Sequence, residues 1–212
     1  LLYESKEYYE QLWRNIVTVK IQNQSKAYFR LTNDLEGTRM IEEFSTGIMN
    51  GDKSNREAHA AKVYFNLLMG TSFSRGNEDI LLNSGLDYGY AVLRGYIARV
   101  CVGYGLNTQI GIHHKNEYNR FNLVDDLMEP LRPLIDIVAY EVMKNEPYFT
   151  AEHRRQLVNV LNMKILYRNK KMFVCNMIEN YVEQYASFIM ERCENIVFPD
   201  IDEFVGEELD GL

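Results

Sequence analysis

Apolar positions along this chain recur mainly at steps of three and four residues, the spacing of one helix face. From Glu4 to Phe29 the residues Leu12, Trp13, Ile16, Val17 and Ile21 follow that step, which predicts one long amphipathic helix. The same spacing, with glycines as stop signals, predicts helices over 34–49 ending near Gly51, over 55–69 stopping at Gly70, and over 86–104 between Gly85 and Gly105. Further helix is predicted over 131–144 and 176–190. One segment breaks the period. Ile165-Leu166-Tyr167 and Met172-Phe173-Val174 flank Arg168-Asn169-Lys170-Lys171, which reads as a small β-hairpin, because Asn tolerates the positive φ of a tight turn. No internal repeat or low-complexity linker interrupts the chain. The expected fold is mainly α: a single multi-helix domain over 1–198 with a small β-hairpin, followed by an acidic, mobile tail over 199–212.

Composition changes this picture little; charge changes it more. With 212 residues, 46% of them hydrophobic and 25% charged, the chain is long enough for a substantial core. No stretch approaches the roughly 20 apolar residues of a membrane span, and no early apolar run has the form of a signal peptide. Cys101, Cys175 and Cys193 are odd in number and widely spaced, a pattern of reduced intracellular thiols used as small core residues. The net charge of −7 is local. Glu194, Asp200, Asp202, Glu203, Glu207, Glu208 and Asp210 account for it, so the body before them is formally neutral and leaves DNA binding open.

Candidate chemistry lies in three segments. Ser54-Asn55-Arg56-Glu57 reads first as a capping box, with Ser54 and Glu57 exchanging hydrogen bonds at a helix start. Glu57 also heads an apolar face with Ala61, Tyr64, Phe65 and Leu68, where an unpaired carboxylate is costly and a cation would offset the cost. His113-His114 follows a glycine-bearing stretch, and adjacent histidines on a regular element point apart, so at most one ligates here. His59 and His153 keep the default reading of surface or internally satisfied residues. Asp125-Asp126-Leu127-Met128-Glu129-Pro130 places three carboxylates within five residues. Pro130 disfavours helical geometry at Glu129 yet suits the first turn of a new helix, whose dipole these acids would complement. Taken together, two carboxylates and an imidazole suit a hard or borderline cation such as Mg²⁺ or Mn²⁺.

The ordered segments resemble the CRISPR spacer-acquisition integrase family. Ser54-Asn55-Arg56-Glu57-Ala58-His59-Ala60-Ala61 is similar to its first metal-ligand helix, and Asn83-Ser84-Gly85-Leu86-Asp87-Tyr88-Gly89-Tyr90 to its Asn-x-x-Leu-x-Tyr-x-Tyr helix start. Gly111-Ile112-His113-His114-Lys115-Asn116 resembles the segment holding its histidine ligand, and Asp126-Leu127-Met128-Glu129-Pro130-Leu131-Arg132-Pro133 the segment of its last acidic ligand. Lys20-Ile21-Gln22-Asn23-Gln24 and the hairpin fit the branch found in type II systems. The likeness runs from about Trp13 to Met190.

This resemblance implies a catalytic metal site of Glu57, His114 and Glu129 holding Mg²⁺ or Mn²⁺, with Asp126 hydrogen-bonding a ligand or a metal-bound water. Arg56 and Lys115 become candidate DNA-phosphate contacts. The implied activity is metal-dependent DNA integration and cleavage: the 3′-hydroxyl of a short DNA fragment attacks a phosphodiester at a CRISPR repeat, in prokaryotic adaptive immunity. The implied partners are the short DNA duplex, the CRISPR repeat, a second copy of the chain and a small ferredoxin-like companion protein. Other type II adaptation proteins are further partners of this kind, no membrane is implied, and the implied location is the prokaryotic cytoplasm. Leu1 stands where a start Met would, and nothing before it supplies the family's N-terminal β domain. The expectation is therefore the helical catalytic domain only, with dimerisation and assembly impaired. The alternatives are a related transposon-type integrase and a catalytically silent DNA-binding scaffold.

Overall fold

A computed structural model describes residues 6–77, 79–190 and 195–206, the last four without their side chains. Helix α1 (Lys6–Thr32) is 27 residues long, about 40 Å at the ordinary helical rise. Its buried stripe holds Leu12, Trp13, Ile16, Val17, Ile21, Ala27 and Tyr28, as the spacing predicts, but also Lys20, Asn23 and Gln24. Around it pack α2 (Leu35–Glu42), α3 (Arg56–Met69), α6 (Arg132–Met143) and the 3-10 turn Glu129–Leu131. A second long helix, α4 (Leu81–Gly103), packs on α5 (Asn122–Met128), α6, α7 (Ala151–Asn159) and α8 (Val174–Ile189). Helix α6 touches both long helices, so one hydrophobic core is continuous from α1 to α8.

Several boundaries differ from the pattern's prediction, each for a physical reason. Helix α2 ends at Glu42 rather than near residue 49, because the chain tightens into a 3-10 turn and then enters a left-handed Gly47 at φ 67°. Helix α4 starts four residues before Gly85. That glycine lies inside it, where an added Cβ would sit 3.0 Å from Met143, and at Gly89 one would sit 2.5 Å from Ile135. The two glycines let α6 approach closely and do not mark an end. Helices α5 and α7 escape a periodicity reading for opposite reasons: α5 is buried on nearly all sides, while α7 buries only His153 and Leu157.

The hairpin forms with β1 (Lys164–Tyr167) and β2 (Lys170–Phe173), antiparallel, and Ile165 faces Met172. Its turn residues Arg168 and Asn169 both take positive φ, 51° and 61°, as a two-residue hairpin connection requires. A third strand, β3 (Phe204–Gly206), pairs antiparallel with β1, giving the order β2-β1-β3. Within the expected tail, Pro199 to Gly206 is folded onto the body. Asn23 Nδ2 donates to the Pro199 carbonyl at 2.9 Å, Ile201 is 3% exposed, and Lys26 pairs with Asp200 at 2.6 Å and Asp202 at 3.2 Å. Two of the acids counted as tail charge thus share an ion pair with one lysine on α1. Residues 207–212 and Cys193 lie outside the described residues. Cys101 is buried and free, while Cys175 is only half-buried and so is not the core residue expected.

Candidate metal centre

Glu57 enters the site because something else caps its helix. Asn55 precedes α3 in a left-handed conformation, φ 53°, and its side chain caps nothing. Asp52 reaches across instead: one carboxylate oxygen accepts from the Arg56 N–H at 2.8 Å and the other from the Glu57 N–H at 3.0 Å. The expected Ser54–Glu57 capping box does not form, and Ser54 Oγ is buried without a hydrogen bond. A charged acceptor satisfies a helix N-terminus more strongly than a hydroxyl does. The Glu57 side chain is thereby released from backbone duty and turns to α1.

The histidine pair divides by packing. His113 lies flat on the buried Trp13, ring centroids 4.3 Å apart, whereas His114 stands edge-on to the same indole at 5.8 Å. Asp126, fully buried on α5, gathers the loop that carries them. Its carboxylate accepts from the N–H groups of Ile112, His113 and His114 at 2.5, 2.9 and 3.3 Å, and meets His114 Nδ1 at 2.6 Å. Gly111 makes this wrap possible, since a Cβ there would lie 2.3 Å from the His114 carbonyl and 2.8 Å from Asp126. Asn122 ties the same loop down by donating to the carbonyls of Gln109 and Asn116. With Nδ1 engaged, His114 keeps Nε2 for a metal or a proton. The Asp126 hydrogen bond raises the His114 pKa; burial opposes this, while the charges of Asp126, Glu129 and Glu57 add to it.

Glu129 begins the 3-10 turn between α5 and α6, with helical φ −55° and ψ −43° despite the proline after it. Arg132, also followed by a proline, is helical as well at φ −54° and ψ −44°. The turn is held by Asn23, whose Nδ2 donates to the Pro130 carbonyl at 2.7 Å. One Glu129 oxygen takes the Arg132 Nε–H at 2.8 Å, and the other meets the Lys20 ammonium at 2.5 Å, off the ideal hydrogen-bond angle and so as an ion pair. The same ammonium donates to Glu57 Oε1 at 2.6 Å. Lys20 is 7% exposed and Glu129 3%. Burial pulls the Lys20 pKa down, but Glu129 and Glu57 outweigh it and the net direction is up. For Glu129 burial pushes up, and Lys20 and Arg132 overcome it to hold the carboxyl below its usual range.

The structure therefore joins Glu57, from α3, and Glu129, from the 3-10 turn before α6, at one cationic point, and places His114 within reach of their charges. It does not close the three into a ligand shell: among the described residues no three His, Cys, Asp or Glu side chains have the arrangement that holds a metal. The donor types and the shared cationic point nevertheless fit a divalent ion, since each carboxylate already faces positive charge in a largely buried setting. His114 and Arg132 line a cleft of about 350 Å³ with Tyr90, Arg94 and Met128. Lys115 is exposed beside it, whereas Arg56 is half-buried. Asp125 lines this cleft too, but both its oxygens pair with Arg94 at 2.7 Å. His59 is exposed, and His153 caps α7 by accepting the Thr150 N–H at 3.2 Å.

Sequence reasoning gave Lys20, Asn23 and Asp52 no part in this site. The first two carry a readable signal, a lysine and an asparagine set in the apolar stripe of α1, whereas Asp52 depends on a turn through Gly51 that periodicity does not describe.

The chain is similar to known proteins over most of its length. The family described as CRISPR associated protein Cas1 matches residues 1–170. A CRISPR-associated endonuclease Cas1 from Neisseria meningitidis serogroup C (strain 8013) is 34% identical over 196 residues, covering 91% of this chain and 64% of its own length. A casposase bound to integration product superposes with a TM-score of 0.72 at 18% identity, over 97% of this chain and 70% of that one. A Cas6-RT-Cas1–Cas2 complex chain gives 0.74 at 16% identity, over 98% of this chain and 26% of that one. The chain spans less than two thirds of the length of the curated relatives first matched.

Proposed function

Because this chain belongs to the CRISPR-associated Cas1 family, we propose that it is the catalytic part of a metal-dependent DNA integrase and endonuclease that inserts short DNA fragments into a CRISPR array. The observation that carries this reading is the convergence of Glu57 and Glu129 on one cationic point beside an imidazole already oriented by Asp126. Glu57, Glu129 and His114 Nε2 would hold Mg²⁺ or Mn²⁺, which when bound supplies Lewis-acid polarisation of the phosphodiester. The protein's own groups do the rest. Asp126 fixes the imidazole, Arg132 offsets charge that builds on the phosphate oxygens, and Lys115 and Arg56 contact flanking phosphates. In the step itself a 3′-hydroxyl oxygen bonds to phosphorus, its proton leaves to a base or solvent, and the original P–O bond breaks to release a new 3′-hydroxyl. Water in place of the 3′-hydroxyl gives nicking. The partners are the DNA fragment, the repeat, a second copy of the chain and a small Cas2-type companion, the kind of subunit named in the neighbouring complex.

Joining of a short duplex to a repeat-bearing plasmid, with the companion present, tests this directly. Joining should require Mg²⁺ or Mn²⁺, stop on chelation, and fall at least about 100-fold in His114→Ala at unchanged helicity, the scale of losing a catalytic group. Equal activity in both proteins would overturn the mechanism. Transposon-type integration, suggested by the casposase likeness in fold, would show joining without preference for the repeat.

A further inference from the structure

Lys20 occupies the place a metal would need. Its ammonium nitrogen lies 2.6 Å from Glu57 and 2.5 Å from Glu129, whereas a divalent ion would seek the same oxygens at about 2.0–2.2 Å. Both cations cannot share that space. Charge points the same way: Lys20 and Arg132 face Glu57 and Glu129, so the quartet is formally neutral before any ion arrives. A divalent ion entering this neutral, largely buried cluster would carry an excess of two positive charges, and an imidazole has no negative charge to offset them. A DNA phosphate brings the missing negative charge.

We propose that Lys20 is a positioning residue that doubles as the resident counter-cation of Glu57 and Glu129, and that its ammonium must withdraw before a divalent ion binds. This inference rests on the metal-site reading above. In the DNA-free protein Lys20 keeps the two carboxylates together and the site free of metal. Metal loading is then coupled to DNA: the phosphate pays the charge imbalance, and the flexible four-carbon stem lets the ammonium leave without moving α1. A metal-loaded site is thereby suppressed until substrate is present.

Mn²⁺ titrations of the full chain, followed by the electron paramagnetic resonance of free Mn²⁺, test the coupling without reference to activity. In the absence of DNA, Lys20→Met should bind Mn²⁺ at least about tenfold more tightly than wild type, a lower bound for removing a like charge at contact range. A short duplex should tighten binding in wild type and change it much less in Lys20→Met. Wild-type binding that is lost in Glu57→Gln but equal or weaker in Lys20→Met would overturn the role of Lys20 while leaving the metal site standing. Absence of Glu57-dependent binding in every protein would overturn both. Where Lys20→Met fails to fold, the ¹⁵N signal of the Lys20 ammonium in wild type decides. Mg²⁺ together with duplex should shift or erase that signal, and a signal unchanged under those conditions would refute withdrawal.

Discussion

At the scale of single residues, Asp126 does more than any other side chain to prepare the site. One buried carboxylate accepts three successive backbone N–H groups and orients His114, so its removal strands several buried donors at once. Asp126→Ala should cost roughly 3 kcal/mol of stability, read from denaturant midpoints at unchanged slope. It should also return the His114 pKa toward the ordinary histidine value, read by NMR titration. The sign is fixed. A raised histidine pKa contributes stability that is fully present below the unfolded value of about 6.5 and is lost as pH rises through the folded value. The variant should therefore lose stability most at the acid side of that window. An unmoved His114 titration would show that Asp126 serves the loop alone. Glu57 teaches the complementary lesson at this scale. Its sequence neighbours suit a capping box, and a carboxylate five residues upstream of it takes the cap instead.

Among elements, α1 links the site to the C-terminal segment. Lys20 and Asn23 are three residues apart, on one face of the helix. The first meets Glu129; the second holds the Pro130 and Pro199 carbonyls and accepts the Ile201 N–H at 3.3 Å. Asn23→Ala leaves those groups without their partner, so it should destabilise the chain by roughly 2–3 kcal/mol. Hydrogen exchange should then rise both in the segment around Ile201 and in the turn Glu129–Leu131. Loss of protection in only one of the two would separate them into independent units. The α4 glycines belong to this scale too. They resemble a motif in sequence, and their observed work is to bring α6, with Arg132 at its head, against α4.

In the molecule as a whole, a buried polar group lies where α3, α4 and α6 meet. Asp136 is 2% exposed and accepts a short hydrogen bond from the Tyr90 hydroxyl, while the buried Tyr64 hydroxyl faces it without a well-angled bond. Burial pushes the Asp136 carboxyl up to about 6, against the Tyr90 hydrogen bond and the charges of Arg132 and Arg75. A carboxyl with a raised folded pKa stabilises the native state below its unfolded value and loses that contribution as pH rises through the folded one. Wild type should thus show a falling contribution between about pH 4 and 6, on the order of 3 kcal/mol at most. Asp136→Asn, which resembles the protonated form, should lack that decline in thermal melts across the window. Parallel profiles for the two proteins would show that Asp136 titrates like an exposed acid. Glu129 acts in the opposite direction, since its lowered pKa gives stability that is lost only as pH falls below the ordinary carboxylate range.

The sequence by itself determined the helical class, the long α1, the hairpin and the residue types of the candidate centre, because these depend on local periodicity, turn chemistry and short motifs. Arg168 and Asn169 take the positive φ that their position in a tight turn demands, and Trp13, Ile16 and Val17 go inside as their spacing requires. The tertiary structure alone decided what is assembled from segments distant in the chain. It put the Lys20 ammonium between Glu57 and Glu129, turned His114 rather than His113 to Asp126, capped α3 with Asp52, and folded residues 199–206 back onto the body, with Phe204–Gly206 as a third strand. The physical reason is common to all four. Each satisfies a charge or a backbone group through a partner whose position is set by packing, and packing between distant segments leaves no period to read along the chain.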